Sequence, residues 1–448
     1  MTTVDAARDT TRRPRGTLAL LGGVQVALIF TLASIAVPLP LIERELGLRH
    51  AEMMLLSTAY GLTFAGLLLF GGRLADRYGG RRVLTVGLAL FAAASALAPL
   101  ATGIGGLLAA RLAQGAGAAL VAPAAMAVVR AAHPDPAAYR RAMATWGGLS
   151  VLGATAGNLL SGPISTLLSW RWTFAPPLLV ALAALVLAPR LLPDTVPRPD
   201  RRLDVLGALL ATAGITLVSY GFVATSARPW LSAGVLGPLL GGAVLLAAFR
   251  HVERQAPDPL LPLHFPCERR RLLALSAIAL SACATSMTFV LVSLHLQRDS
   301  GWSPLATSAA FLPFALTLFA GGRAAGALIV RYGARAVTSA GLGSGAVGLV
   351  LLALTGVDAR ISYAPGLLPG LLLLSAGTAA SFAGGAVLAT DGVPPRSTGL
   401  AGGVLNTAME VGPTVLFAAL LTLGGDARPL AATGAALGVL ALLFHRNR

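Results

Sequence analysis

The stretch of sequence that decides the fold is Gly72 to Leu84, GRLADRYGGRRVL, together with a partial copy at 326–335, GALIVRYGAR. The first ten residues of the stretch match the copy at six positions. Each copy lies between two long apolar segments, and glycines supply a turn among charged residues. A charged turn that recurs after the second segment of each of two blocks predicts a molecule built from two related halves.

The composition indicates that lipid surrounds most of the chain. Of its 448 residues, 56% are hydrophobic and only 12% are charged, and the mean hydropathy is +0.77. One helical crossing of a bilayer core needs about 20 apolar residues. A transmembrane β-barrel alternates polar and apolar residues and would give a weaker hydropathy. The composition therefore predicts a protein that crosses the membrane many times as α-helices.

Apolar segments recur along the whole chain, at 17–39, 51–71, 83–101, 105–129, 142–166, 173–192, 203–224, 231–249, 272–296, 304–330, 336–356, 363–389, 398–423 and 429–445. The predicted fold is an all-α membrane protein of 14 transmembrane helices, with two six-helix pseudo-symmetric halves and a two-helix central insertion. We expect a disordered cytoplasmic tail at 1–16, a first half at 17–192, a linker at 193–250, a cytoplasmic loop at 251–271 and a second half at 272–448.

The arginines predict the orientation. All 34 basic residues are Arg: 25 lie at alternate segment ends, here called the Arg-rich side, 7 lie at the Arg-poor side, and Arg111 and Arg323 lie within segments. Short loops rich in Arg stay in the cytoplasm, so we expect a bacterial cytoplasmic membrane protein with both termini inside. Tryptophans at the Arg-poor side predict an outer aromatic belt: Trp170, Trp172, Trp230 and Trp302.

Several function classes are excluded or disfavoured. The net charge of +16 does not predict nucleic-acid binding, because the arginines are scattered in twos and threes between apolar runs. A chain without lysine cannot form a Walker A nucleotide site. Neither the two cysteines nor the six histidines show metal-ligand spacing, and the GxGxxG match at 343–348 lies inside an apolar segment. We expect no enzyme activity and no cofactor.

Two motifs resemble a known family. The 72–84 stretch resembles the loop signature of the major facilitator superfamily, and Arg111, Gln114 and Gly115 in LAARLAQGAGAA resemble its fourth-helix motif. The segment count, the Trp170-Arg171-Trp172 run and GLAGGVLNTAMEVG at 399–412 resemble the 14-spanner drug:proton antiporter branch. The resemblance implies export of a drug or natural product against protons, by alternating access around a midplane site.

The chain departs from that branch in two places. Thr31 stands where the branch usually has an acid in its first helix, and the fifth-helix motif reads Gly157-Asn158 and then Ser161-Gly162. The missing acid leaves open an uncoupled or uptake carrier for a small metabolite. A non-transporting sensor or scaffold is a third alternative, against which the loop signature and Arg111 both count.

Charges inside the segments are the first candidates for the site. Arg111 lies in segment 4 and Glu410 in the middle of segment 13, where ionised groups usually mark a transport pathway. The alternatives are an Arg that reaches the interface and a Glu that stays protonated. Glu410 shares one helix face with Gly399, Gly403, Asn406 and Pro413, so we predict that it faces protein and carries proton coupling. The predicted substrate cavity comprises Arg111, Gln114, Gln25, Thr31, Asn158 and Asn406.

The charged turn is the second candidate. The resemblance implies that it latches the two halves together, and its members are Gly72, Asp76, Arg77, Gly79, Arg81 and Arg82. Gly153, Gly157 and Ser161 recur every four residues in segment 5 and predict close helix packing. The expected partners are a small-molecule substrate, protons and the lipid bilayer, with no nucleic acid, and we expect a monomer.

Overall fold

The computed structural model describes residues 3–195, 204–225, 228–255, 268–356, 362–393, 398–421, 423 and 427–446, and these ranges contain no β-strand. The helices are α1 Thr3–Ala33, α2 Leu39–Leu46, α3 His50–Tyr78, α4 Gly80–Leu97, α5 Ile104–Ala132, α6 Pro136–Leu167, α7 Ala175–Leu191, α8 Val205–Ala224, α9 Ala233–Gln255, α10 Arg269–Leu294, α11 Pro304–Ala310, α12 Leu312–Tyr332, α13 Ala334–Leu351, α14 Tyr363–Gly366, α15 Leu368–Thr390, α16 Thr398–Val411, α17 Phe417–Leu421 and α18 Ala427–Arg446.

Most of these helices are suited to a bilayer. Within the described ranges, eleven helical stretches are long and apolar enough to cross a membrane. The three other predicted segments are helical too: α6 has 32 residues, α8 contains the shorter apolar stretch Leu206–Phe222, and α16 and α17 are joined by a π-helical turn. The chain is thus a multi-pass helical membrane protein, and the count of fourteen crossings stays a prediction.

The buried side chains form two large clusters. One cluster lies among α1, α3, α4, α5, α6 and α7, with Leu68 and Phe91 in it. The other lies among α10, α12, α13, α15, α16 and α18, with Leu342 and Leu374 in it. Each six-helix group therefore buries its own apolar core, and the two groups meet where α16 packs on α3 and α5 and where α6 packs on α11 and α12.

The repeated motif has the same backbone form in both copies. Gly79 alone joins α3 to α4 with φ 89°, and Gly333 alone joins α12 to α13 with φ 84°. The Gly79 amide donates to the Ala75 carbonyl at 3.0 Å, and the Gly333 amide donates to Ile329 at 2.8 Å. L-residues rarely adopt such positive φ values, so each turn requires its glycine.

The predicted charged loop is therefore wrong in its form. Asp76 and Arg77 belong to the last turn of α3, and Arg81 belongs to the first turn of α4, because one glycine suffices to reverse the chain. The sequence predicts that Gly79 and Gly80 together supply the turn, but Gly80 already lies in α4. A Cβ on Gly80 would come within 3.0 Å of the Ala124 carbonyl oxygen, so its role is to let α4 approach α5 closely.

The terminal tail and the central linker also differ from the prediction. α1 begins at Thr3, so the tail is helical, in keeping with its alanines and arginines. The predicted 251–271 loop is helical at both ends, because α9 runs to Gln255 and α10 begins at Arg269, and residues 256–267 lie outside the described residues. In the linker, the Thr212 hydroxyl of α8 donates to the Gly66 carbonyl of α3 at 2.7 Å.

The Arg-poor side carries a polar cluster that we call the Glu45 clasp, made of Glu45 on α2, Trp170, Arg171 and the Pro99 carbonyl. Arg171 pairs with Glu45 and donates from Nε to Pro99 at 3.0 Å, and Trp170 Nε1 donates to Glu45 at 2.5 Å. Bonds from Arg171 and then Trp170 hold the pKa of Glu45 below its ordinary value of 4.5. Trp170 is thus buried, while Trp172 and Trp230 are exposed as a belt requires.

Candidate functional site

Arg111 is a buried cation on α5. It lies seven residues after Ile104, about 10 Å along the helix axis, and only 1% of it is exposed. Its Nη1 donates to the Thr31 carbonyl of α1 at 2.8 Å. Its Nε and Nη2 are buried without a hydrogen-bond partner among the described residues. A guanidinium is costly to bury in this way, which favours a functional role over a purely structural one.

Tyr60 on α3 is the partner that sequence reasoning missed. The Arg111 Cζ lies 5.0 Å from the centroid of its ring, and the Tyr60 hydroxyl donates to the Leu28 carbonyl of α1 at 3.0 Å. Gly115 makes this contact possible, because a Cβ there would collide with the Tyr60 backbone and lie 3.1 Å from the Phe64 nitrogen. The sequence does contain a signal for this partner, because Tyr60 is the one tyrosine in the apolar segment 51–71 and a buried hydroxyl needs a hydrogen-bond partner.

Glu410 on α16 approaches the same cluster from the second half. It is 3% exposed, and both Glu410 and Arg111 lie within electrostatic range of the Tyr60 side chain. The helix face predicted to meet protein lies against the first half: Asn406 Nδ2 is 3.2 Å from the Met126 sulfur of α5. Arg111 and Tyr60 thus form a buried polar group in the first half, and Tyr60 brings it within electrostatic range of Glu410 in the second half.

The α-helical geometry of the helix that carries Glu410 breaks just after it, while the chain stays helical. The predicted segment 398–423 is continuous, but α16 ends at Val411 and a π-helical turn runs over Gly412–Leu416 before α17. Pro413 explains the break, because it lacks an amide hydrogen and its ring crowds the preceding turn. A Cβ on Gly412 would come within 3.0 Å of the Ala279 backbone of α10. π-Helical turns inside α-helices are frequent at functional sites.

The other predicted cavity residues are bonded within the first half. Gln25 donates to Ser150 at 2.9 Å and so joins α1 to α6, while Gln114 donates to Ser95 of α4 at 2.9 Å. Thr31 donates from its hydroxyl to Ala27 at 2.8 Å, and Asn158 donates to Ala154 at 3.0 Å. Thr31 therefore meets Arg111 only through its carbonyl.

Asn158 also lies at the contact between the halves through its main chain. The Ser308 hydroxyl of α11 donates to the Asn158 carbonyl at 3.2 Å. The predicted close packing at Gly153 and Gly157 is present, where α6 packs on α1. A Cβ on Gly153 would lie 2.6 Å from the Val26 carbonyl oxygen, and a Cβ on Gly157 would lie 2.8 Å from the Phe30 carbonyl oxygen.

The charged turn is bonded to the end of α7. Arg81 pairs with Asp194 at 2.5 Å and donates to the Pro189 carbonyl at 3.3 Å. Arg77 lies over the ring of Tyr78, and a Cβ on Gly72 would lie 3.7 Å from the Pro123 side chain. Arg82 is exposed. These Arg81 contacts stay within the first half, so a latch to the second half remains a prediction.

An apolar cavity of about 250 Å³ lies between the halves, where α3, α10 and α16 meet. Its lining comprises Leu69, Leu275, Ser276, Ala279, Val404, Thr407 and Ala408. Val404 and Thr407 precede Glu410 on α16, so the cavity lies on the Arg-rich side of the buried polar group. Such a lining suits the apolar part of a small amphipathic molecule. The described residues contain no group of three or more potential metal ligands.

Two related helical halves with a buried arginine and a buried carboxyl group where they meet define a membrane transporter. The chain belongs to the Major Facilitator Superfamily, whose sequence profile matches residues 19–417. The family resemblance inferred from the two motifs is thereby confirmed.

Relatives in this family are named for antibiotic export and resistance. The chain is 34% identical to the cephamycin export protein CmcT of Amycolatopsis lactamdurans, over 95% of this chain and 89% of that protein. It is also 34% identical to the puromycin resistance protein pur8 of Streptomyces alboniger, over 92% and 82%. The lincomycin resistance protein of Streptomyces lincolnensis is 34% identical, over 98% and 92%.

Solved structures share the fold. The human organic anion transporter MFSD10 (TETRAN) superimposes with a TM-score of 0.65 at 20% identity, covering 96% of this chain and 99% of that one. An auto-inhibited POT family peptide transporter also gives a TM-score of 0.65, at 17% identity, with 96% of each chain covered.

Proposed function

We propose that this protein exports a small organic molecule, an antibiotic or another drug, from the bacterial cytoplasm in exchange for protons by alternating access. The observation that carries the proposal is the buried group of Arg111, Tyr60 and Glu410 at the contact between the halves. The names of the relatives support the substrate class, and the apolar cavity beside the group supports an amphipathic substrate. The proposed orientation places both termini in the cytoplasm, and the proposed unit is a monomer of fourteen helices.

Glu410 is the group proposed to carry the proton. When ionised, its charge acts on the Tyr60 side chain, against which Arg111 packs in the first half, and protonation removes that charge. The strength of the contact then depends on whether a proton is bound. The halves open and close in an equilibrium between two states, and only a change that favours one state over the other shifts it. A contact whose strength depends on the bound proton therefore links proton binding to opening of the halves.

The test is transport into proteoliposomes with and without an imposed pH gradient. Glu410→Gln keeps the shape and hydrogen bonding of the side chain but fixes it as neutral. We expect this variant to bind substrate yet lose gradient-driven transport. Asp391→Asn is a matched control, because Asp391 pairs with Arg270 at 2.6 Å and is exposed at the Arg-rich end of α15. Undiminished gradient-driven transport by Glu410→Gln, at equal expression, rules out the coupling role.

The alternative is a carrier without proton coupling, for export or uptake of a small metabolite. Thr31 favours the uncoupled carrier, because threonine has no carboxyl group to replace the missing acid. Its hydroxyl donates to the Ala27 carbonyl of its own helix. Transport by the unmodified protein that does not respond to the pH gradient would favour this alternative. A drug-susceptibility panel in cells with and without the protein identifies the exported class in either case.

A further inference from the structure

One arginine within the membrane-spanning helices lies outside the site described above. Arg323 is on α12, and unlike Arg111 it is exposed. Arg331, near the Arg-rich end of the helix, lies eight positions further along, which is about 12 Å of helix axis. The side chain therefore starts well inside the hydrocarbon layer.

The face of α12 that carries Arg323 points away from the core. Phe314, Leu318 and Ala325 form the buried face, at 1%, 3% and 1% exposure. On the opposite face, Leu316 is 61% exposed and Phe319 is 53% exposed, and both lie on the same stripe as Arg323 at helical spacing. A stripe of exposed Leu and Phe is suited to lipid, and Arg323 lies on that stripe.

Among the residues that the structure describes, no acidic side chain pairs with Arg323. Its only ring contact among these residues is with Phe319, 5.5 Å from Cζ to the centroid. A lipid-facing cation is unfavourable unless an anion neutralises it. Gly322 and Gly326 flank it, and a Cβ on either glycine would meet nothing within 4 Å, so there is open space beside the guanidinium.

The fold does not require an arginine at this position. The internal repeat aligns Arg323 with Leu69 of α3, an apolar residue that lies 3.8 Å from the Cβ position of Gly403 on α16. In the first half, this position therefore lies against α16, whereas in the second half, where α6 packs on α12, Arg323 is exposed and charged. The arginine is a local feature of α12 that packing within the chain does not explain.

We propose that Arg323 binds the phosphate group of an anionic phospholipid in the leaflet on the Arg-rich side. The guanidinium offers paired donors that match phosphate oxygens, and the exposed Arg331 on the same helix attracts anionic lipids at the level of the headgroups. Snorkelling of Arg323 and local thinning of the bilayer bring the phosphate and the guanidinium together.

Two other occupants fit this surface less well. In a two-fold contact centred on this stripe, a second copy of the chain would bring Arg323 close to its own counterpart, which like charges oppose. The exposed Gly322 and Gly326 have the spacing of a small-xxx-small contact, but a transmembrane helix of another protein packed there would bury the guanidinium unless it supplied an anion. Here the small residues lie only near Arg323, and Leu312, Leu316 and Phe319 are bulky and exposed further along the face.

The experiment measures lipid retention by the purified full-length protein. Native mass spectrometry counts phosphatidylglycerol or phosphatidylcholine bound to the wild type, to Arg323→Leu, which places the repeat-related residue there, and to Arg331→Leu as the matched control. We expect phosphatidylglycerol to be preferred by the wild type and to bind at least about tenfold more weakly to Arg323→Leu, with a smaller change in Arg331→Leu. A higher apparent melting temperature in phosphatidylglycerol nanodiscs should likewise depend on Arg323.

Three results would overturn the proposal. The first is equal phosphatidylglycerol binding by Arg323→Leu and the wild type. The second is an equal or larger loss in Arg331→Leu, which would indicate a diffuse basic surface. The third is a stoichiometric single-span protein that co-purifies with the wild type and is lost in Arg323→Leu, with no preference for phosphatidylglycerol. A folded Arg323→Leu variant, checked by its melting temperature in phosphatidylcholine, keeps each result interpretable.

Discussion

At the scale of single residues, the site depends on a contact between a cation and a ring. Arg111 lies against Tyr60, whose hydroxyl reaches the Leu28 carbonyl, so one tyrosine connects α1, α3 and α5 beside Glu410. An aromatic face stabilises a desolvated guanidinium by electrostatic attraction. Tyr60 is therefore a positioning residue for Arg111, and it lies within electrostatic range of Glu410.

We predict that Tyr60→Phe changes the pH profile of transport. The ring under Arg111 is kept, while the hydroxyl that lies within range of both charges is lost, along with about 1 kcal/mol of unfolding free energy from its hydrogen bond. Thr63→Val is the control, because the Thr63 hydroxyl donates to the Leu112 carbonyl at 2.9 Å between the same two helices, α3 and α5. If both variants lose similar stability and keep the wild-type pH profile, Tyr60 is only structural.

At the scale of elements, the repeated turn depends on two glycines. Gly79 and Gly333 hold φ at 89° and 84°, and side chains are strained in that region. We predict that Gly79→Ala and Gly333→Ala each lower the free energy of unfolding by about 1–3 kcal/mol. The measurement is denaturant unfolding of the purified protein in detergent.

Gly343→Ala is the matched control for these two substitutions. Gly343 lies inside α13, where an added Cβ meets nothing within 4 Å, so alanine there should stabilise the helix by about 0.5–1 kcal/mol. Neutral behaviour of Gly79→Ala would contradict the requirement for positive φ. Unchanged transport by Gly343→Ala would in addition exclude a nucleotide-binding role for the GxGxxG match.

The Glu45 clasp predicts a pH dependence at the Arg-poor side. Because the folded pKa of Glu45 is lowered, its ionised form stabilises the folded state above the ordinary value of 4.5, and this stabilisation is lost as the pH falls through the lowered pKa. The pair is partly exposed, so we expect Glu45→Gln to cost at most about 1 kcal/mol at pH 7. Melting curves should show that the difference from the wild type disappears only below about pH 4.5. A difference already lost at pH 6 would contradict this account.

At the scale of the whole molecule, the arginine distribution predicts the topology. Fourteen crossings place Arg448 and the segment at 256–267 on the same side as the Arg-rich turns. Fusions at both places should therefore be active only with a reporter that works in the cytoplasm. A periplasmic signal at either place would mean that one predicted segment does not cross the membrane. The candidates for that segment are α6, α8 and the α16–α17 pair.

Sequence alone determined the class of fold, since hydropathy, arginine bias and the glycine turns are local properties of the chain. The two-half design and the family followed from the motif at 72–84 and its copy at 326–335. Both copies keep a glycine at the turn, because a turn with φ near 90° requires glycine whatever surrounds it, so the repeat is visible in the sequence. The sequence also located the buried charges at 111 and 410, since depth in a bilayer follows from position along an apolar segment.

Tertiary structure alone decided what those charges meet. Arg111 and Arg323 look alike in the sequence, each a single arginine in an apolar run, but helix rotation buries the first against Tyr60 and exposes the second on a stripe of Leu and Phe. The direction in which a helix faces depends on close contacts with its neighbours, such as that of Gly115 with α3. Those contacts join residues far apart in the chain, so hydropathy and spacing along one segment do not contain them.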